Sequence, residues 1–171
     1  MRDGAEIQVV GSERQEAWHW PAVINFTLGG AGAGLYIVAS IVGNPTHRGL
    51  AAMLVVAGFA VVALEAGRPL RAHHLWRNLR QSWMSREVLA AMIFISVSLL
   101  DSYRPSAVLA TVSAASATAL LLCHGFILYR ARALPAWNVP IMPVLFITSG
   151  LAAGAGAALL VVQYKVLSSE S

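Results

Sequence analysis

Four polar side chains stand out against an otherwise apolar chain: Asn25, Glu65, Glu87 and His124. Glutamate and histidine carry protons near neutral pH once burial and neighbours adjust them. Asparagine adds a donor and an acceptor without charge. Each has a plainer reading. Glu87 follows Ser85, an expected N-cap, and there complements the helix dipole. Glu65 can pair with Arg68 or Arg71, His124 can be a hydrogen-bonded packing residue, and Asn25 can simply bridge helices. What sets the four apart is shared depth. In the spans drawn below, all lie within about 10 Å of one membrane face at about 1.5 Å per residue. Ionisable groups inside a membrane are costly and mark functional sites by default.

The elements that must position them follow from composition. Of 171 residues, 57% are hydrophobic and 12% charged, about half the charge of an ordinary soluble domain. Trp20 to Val42 and Ser106 to Tyr129 carry no Asp, Glu, Lys or Arg. Uncharged runs of that length match the hydrocarbon thickness of a bilayer. The pattern predicts an all-α polytopic membrane protein with spans at 21–43, 49–66, 86–101, 106–130 and 138–164. These form a four-helix-bundle-like core plus one additional helix. The second and third spans read as short, so their polar ends are expected inside the bundle. Residues 1–20 form a polar N-terminal tail of mixed sign, unlike a signal peptide, so the first span is expected in the mature protein. Residues 165–171 form a C-terminal tail.

Gly30/Gly34 and Gly150/Gly154 are small-x-x-x-small pairs, which allow helix backbones to approach closely. The run GGAGAG lies inside a span, not between a strand and a helix, and so is no nucleotide loop. Pro45, Pro105 and Pro135 punctuate loops, while Pro140 and Pro143 fall in the first turns of the fifth span. Ser85 is expected to open the third. The single cysteine, Cys123, lies in an apolar run and reads as a packing residue. One thiol holds neither an iron–sulfur cluster nor a structural zinc.

Five spans place the termini on opposite sides. The N-terminal side, side A, holds Arg2, Arg14, Arg68, Arg71, Arg77, Arg80, Arg86, Arg130 and Arg132, against Arg48, Arg104 and Lys165 on side B. The positive-inside rule makes side A cytoplasmic. Trp18, Trp20, Trp76, Trp83 and Trp137 also fall on side A, as either an aromatic belt or a protein contact. The 66–86 loop, with Arg68, Arg71, His73, His74, Arg77, Trp83 and Arg86, reads as a basic interfacial segment with a short amphipathic helix near 70–80. It is either a headgroup-binding loop or a docking surface. Nothing points to a nucleic-acid partner.

A pocket at the depth of Asn25, Glu65, Glu87 and His124 is compatible with a quinone, which needs an apolar slot, hydrogen-bond partners and a proton route. The chemistry permits that ligand without singling it out. WHWPAVINFTLGGAGAG (18–34), GRPLRAHHLWRNLRQSWMSRE (67–87) and PAWNVPIMPVLFITSGLAAG (135–154) then resemble the NrfD/PsrC/DmsC family. Its members are membrane anchor subunits of complex iron–sulfur molybdoenzymes. The resemblance implies a haem-free subunit that binds quinone or quinol, menaquinone or ubiquinone, near the face where a four-cluster ferredoxin-like iron–sulfur subunit docks. Clusters and molybdopterin then reside on that subunit and on a molybdenum or tungsten catalytic subunit, in a bacterial inner membrane. It further implies a quinol-binding role for Glu87. Asn25 falls near the family's first-span polar position, and either His124 or Tyr129 stands for a fourth-helix partner. Glu65 occupies a region where the family often has His or Asp.

The chain departs from that family in length. Members usually have eight or more spans in two bundles, and the fifth helix here is left to pair with another membrane subunit or a second copy. Three rivals remain: a b-type cytochrome anchor, disfavoured because of five histidines only His124 lies within a span; a purely structural anchor; and a small transporter, against which the lack of paired inverted segments speaks.

Overall fold

The computed structural model describes residues 19–65, 78–131 and 137–169. It is all helical there: α1 (Trp20–Val42), α2 (Pro45–Glu65), α3 (Trp83–Tyr103), α4 (Ala107–Tyr129) and α5 (Met142–Ser169). All five contain a stretch long and apolar enough to cross a membrane. The protein is a multi-pass membrane protein.

The second and third helices are longer than their charges suggested, at 21 residues each. Pro45 opens α2, where its missing N–H costs nothing. The Asn44 side chain accepts from the Thr46 and His47 amides at 3.1 and 3.4 Å. Arg48 therefore lies inside the helix rather than in a loop. Ser82, not Ser85, caps α3, accepting from the Ser85 amide at 3.3 Å. Glu87 accordingly stands beyond the first turn, and capping does not explain it. At the fifth span, Pro140 precedes the helix and only Pro143 falls in its first turn. The segment expected as an interfacial helix lies largely outside the described residues. Its end, 78–81, is a turn closed by Gln81 and Ser82 amides on the Asn78 carbonyl.

Helix α1 is the hub and packs on α2, α4 and α5, while α3 packs on α4 and α2. The chain reverses from α1 to α2 at Gly43, whose φ of 74° is the left-handed cap glycine tolerates. In lipid no hydrophobic effect drives helices together, so close van der Waals packing must. The two glycine pairs supply it by facing each other. A methyl group on Gly34 would overlap the Gly150 carbonyl, and one on Gly154 would overlap the Gly34 backbone. On the opposite flank a methyl on Gly32 would stand 2.7 Å from the Ala51 carbonyl oxygen of α2. A methyl on Gly125 of α4 would overlap Pro143 of α5. Around these contacts lies a core that includes Leu35, Tyr36, Val55, Phe94, Leu120 and Leu121. Hydroxyls are settled locally: Thr27, Ser40, Ser102, Thr111, Ser116, Thr118 and Thr148 each donate to the carbonyl four residues back.

Near side B the bundle is tied by an ionic knot that sequence reading passed over. Asp101, 3% exposed, accepts from Arg48 at 3.0 Å, from the Tyr36 hydroxyl at 3.2 Å and from the Ser106 amide at 3.1 Å. One carboxylate thus joins α1, α2, α3 and the start of α4. Tyr36 packs edge-on against Phe94, with ring centroids 5.1 Å apart.

Two outcomes are expected. Gly154→Leu destabilises the bundle by about 3 kcal/mol or more, because backbone rather than a side chain blocks the added group. Gly156→Leu, with nothing within 4 Å of the new Cβ, changes stability by about 0.5 kcal/mol or less. Thermal unfolding in detergent compares them. Asp101→Ala costs about 1–3 kcal/mol by leaving the buried Tyr36 hydroxyl and the Arg48 guanidinium without their acceptor. Arg48, with its side chain 19% exposed, keeps access to water, which holds the loss in that range. A melting temperature equal to the parent's would refute the knot.

Candidate functional site

Near side A, three helices bring one polar side chain each to a single point. Asn25 is five residues into α1, Glu87 four residues into α3, and His124 five residues short of the end of α4. At 1.5 Å per residue each lies about 6–8 Å from its helix end. All three are buried, with His124 at 0% and Asn25 and Glu87 at 5% exposure. The Asn25 Nδ2 donates to Glu87 Oε1 at 2.8 Å. His124 Nε2 lies 3.0 Å from the same oxygen, but the ring is turned so that its N–H direction misses it. One carboxylate oxygen is therefore approached by both an amide and an imidazole.

Neighbouring helices are cut back to make room. A methyl on Gly29 would sit 3.0 Å from His124 Cε1, so the imidazole lies directly on the α1 backbone. A methyl on Gly58 of α2 would sit 3.2–3.3 Å from three Asn25 atoms. Aromatic rings close the remaining sides. Phe26 of α1 meets His124 edge-on at 5.0 Å, and Phe146 of α5 lies 6.2 Å from His124 and 5.9 Å from Phe26.

Three polar atoms in this apolar setting have no hydrogen-bond partner among the described residues: Asn25 Oδ1, His124 Nδ1 and His124 Nε2. A buried polar atom left unpaired costs about 1–3 kcal/mol. Asn25 Oδ1 and the imidazole, able to donate or accept, thus carry hydrogen-bonding capacity that the described residues do not use. Glu87 and His124 together can hold and pass a proton.

The other expected residues fall differently. Glu65 ends α2 on side A, two turns beyond Gly58, and its side chain lies outside the described residues, as do Arg68, Arg71, His73, His74 and Arg77. Tyr129 is half-buried one turn past the cluster, its ring 6.4 Å from Phe126. Of the two fourth-helix candidates, His124 is the one that approaches Glu87. Trp83 stacks on Phe126 at 4.2 Å, with the planes 10° apart. Arg86 lies over Trp83 at 4.3 Å and donates to the carbonyls of Leu79 and Arg80 at 2.9 and 2.7 Å. These two residues clamp the loop end onto α3. Reading the sequence missed Gly29, Gly58, Phe26 and Phe146. Heptad-like spacing puts Asn25 and Tyr36 on one α1 face and Glu87, Phe94 and Asp101 on one α3 face, but it does not single out any of the four missed residues.

Two grooves reach the lipid-facing surface nearby. One, ≈ 390 Å³, runs between the side-A halves of α1 and α5 and includes Phe26, Gly30, Trp137 and Phe146. The other, ≈ 620 Å³, runs between α3 and α4 past Trp83, Ala115 and Cys123.

The fold and site define a polytopic membrane protein with a carboxylate–imidazole–amide cluster buried near one face. Among characterised proteins it is similar to the C subunit of the polysulfide reductase of Wolinella succinogenes, 26% identical over 185 aligned positions. The alignment takes in 84% of this protein and 57% of the relative, so it spans little more than half the relative's length. No protein-family model matches it, and no solved structure does.

Glu87 is the hinge of the cluster, and substitution separates its contacts from its charge. Glu87→Leu should cost about 1–3 kcal/mol, because the Asn25 amide loses its acceptor in a buried setting. Glu87→Gln keeps an acceptor oxygen and should stay within about 1 kcal/mol of the parent. Chemical denaturation of both variants in one detergent measures the gap; equal losses would contradict the arrangement.

Proposed function

We propose that this protein is a membrane subunit of a bacterial respiratory oxidoreductase, binding quinone or quinol at the Asn25–Glu87–His124 cluster and exchanging electrons with an iron–sulfur subunit docked on side A. The observation that carries the reading is the cluster itself. It offers a buried acid and imidazole with polar atoms unpaired among the described residues, beside aromatic rings, within two turns of a membrane face. The likeness to a protein named as one part of a polysulfide reductase supports a place in a multisubunit reductase. So does the resemblance of the 18–34, 67–87 and 135–154 segments to anchor subunits of molybdenum and tungsten enzymes.

A quinone, when bound, supplies a two-electron, two-proton couple. The residues of this protein do the rest. Asn25 Nδ2 fixes the Glu87 carboxylate, while Asn25 Oδ1 accepts from a quinol hydroxyl and the His124 N–H donates to a quinone carbonyl. Glu87 and His124 are each able to carry a proton. Because the cluster lies about 6–8 Å below side A, a proton leaves by that face, past the start of α3. Phe26 and Phe146 keep the imidazole out of bulk lipid. Arg80, Trp83 and Arg86 stand at the same end of the bundle, and the further arginines in the 66–86 sequence suit a docked partner. An iron–sulfur subunit there, with a molybdenum or tungsten catalytic subunit beyond it, completes the electron route. The cytoplasmic membrane is the expected location, and the arginine excess supports a cytoplasmic side A.

Glu87→Gln in the assembled complex is the test. Quinol-linked turnover should fall about 100-fold or more, the usual loss when a positioned proton carrier is removed, while the subunits still co-purify. Unchanged turnover with intact assembly would leave the protein as a structural anchor.

A further inference from the structure

We propose that the groove between α1 and α5 is the portal through which a tailed quinone reaches the cluster from the lipid, with Phe26 and Phe146 as its inner gate. This rests on the quinone reading above and adds a direction of entry and the residues that control it.

The two helices run parallel and touch backbone to backbone where Gly34 meets Gly150 and Gly154. On the side-A side of that crossing they part, and the groove occupies the space between them. Its wall is built from small residues, including Ala22, Gly30, Ala31, Gly150 and Ala153, which leave room for a flat ring and an isoprenoid tail. Val23, Thr27, Ser149 and Ala153 are exposed along its mouth, so it opens outward into the bilayer. At its inner end stand Phe26 and Phe146, and both rings lie edge-on to His124. Moving the Phe26 ring aside would uncover the imidazole, whose nitrogens have no hydrogen-bond partner among the described residues.

The α3–α4 groove is larger yet lacks this continuity. Toward side A it runs into the stacked pair Trp83–Phe126, held in place by Arg86. Its one buried hydroxyl, Ser116, is already committed to the Val112 carbonyl at 2.8 Å. Cys123, buried on its floor, offers no strong hydrogen bond. Its polar lining residues Arg86 and Ser116 are engaged with carbonyls, whereas the α1–α5 groove ends on two rings that cover an imidazole with no hydrogen bond among the described residues.

The full-length protein in lipid nanodiscs, titrated with short-tailed menaquinone or ubiquinone and with the tailless head group of each, provides the experiment. Saturable quenching of tryptophan fluorescence reports binding. Ala153→Phe adds a ring at an exposed position in the groove mouth. It should weaken tailed-quinone binding about tenfold and leave the tailless head groups unaffected. Ser149→Phe, one turn nearer the gate, should do the same and stands in if Ala153→Phe does not assemble. Ala115→Phe, equally exposed in the other groove, should change neither. Weakening by Ala115→Phe with none from Ala153→Phe or Ser149→Phe would overturn the portal while leaving the cluster as the binding site. Full binding of every ligand by His124→Leu, which removes the imidazole that the proposed function aims at a ring oxygen, or no saturable quenching in the parent protein, would instead overturn the quinone reading, and the portal with it.

Discussion

The structure depends on how closely α1 approaches its neighbours. In hydrocarbon an aliphatic side chain gains nothing by leaving lipid for protein, so cohesion must come from contact distance and from polar pairing. Gly34 against Gly150 and Gly154 supplies the first on one flank, and Gly32 against Ala51 on the other. That proximity fixes where Gly29 and Asn25 lie, about one and a half and two and a half turns nearer side A than Gly34 on the same helix. His124 can rest on the α1 backbone only because Gly29 has no side chain, and Asn25 can meet α2 only because Gly58 has none. The position of the cluster is a by-product of small residues meeting at the right levels.

Helix α3 carries the polar half of the cohesion. Glu87 and Asp101 lie fourteen residues apart on one face, with Phe94 midway and buried against Tyr36. The two carboxylates are treated differently. Asp101 is saturated by a guanidinium, a phenol and a backbone amide, and has the character of a fastening. Glu87 takes one amide and faces an imidazole whose two nitrogens have no hydrogen bond among the described residues. In a membrane interior a fully satisfied carboxylate argues for architecture. An under-satisfied polar group beside one argues for a site.

The sequence made much of this legible. Five spans followed from uncharged length, and the glycine pairs marked helices able to approach closely without naming the partner. Of the four polar residues read at one depth, Asn25, Glu87 and His124 meet, while the Glu65 side chain lies outside the described residues. It misled where a charge masqueraded as a boundary. Arg48 made α2 look as if it began late, because its partner Asp101 is 53 positions away and no local pattern announces it. Ser85 looked like a cap because it precedes a glutamate, yet Ser82 holds that post and Ser85 is buried. Gly29 and Gly58 were unreadable for another reason. A glycine that makes space for a side chain on another helix is meaningful only once that helix is in place. The polar stripe on each helix was visible as spacing, but hydrophobic patterning is blind to it where both faces are apolar.

Arg86 and Glu87 are consecutive residues with different attachments. Arg86 grips the carbonyls of Leu79 and Arg80, and Glu87 holds Asn25 inside the bundle. One peptide unit is therefore shared between the end of the connecting segment and the buried cluster. A helix start of this kind behaves as a lever. A small rotation that moves the arginine outward swings the glutamate through a comparable arc, and a hydrogen bond of 2.8 Å tolerates little of that before it breaks. Whatever bears on the outside of the protein at residues 78–82 is thereby geared to the protonatable centre within.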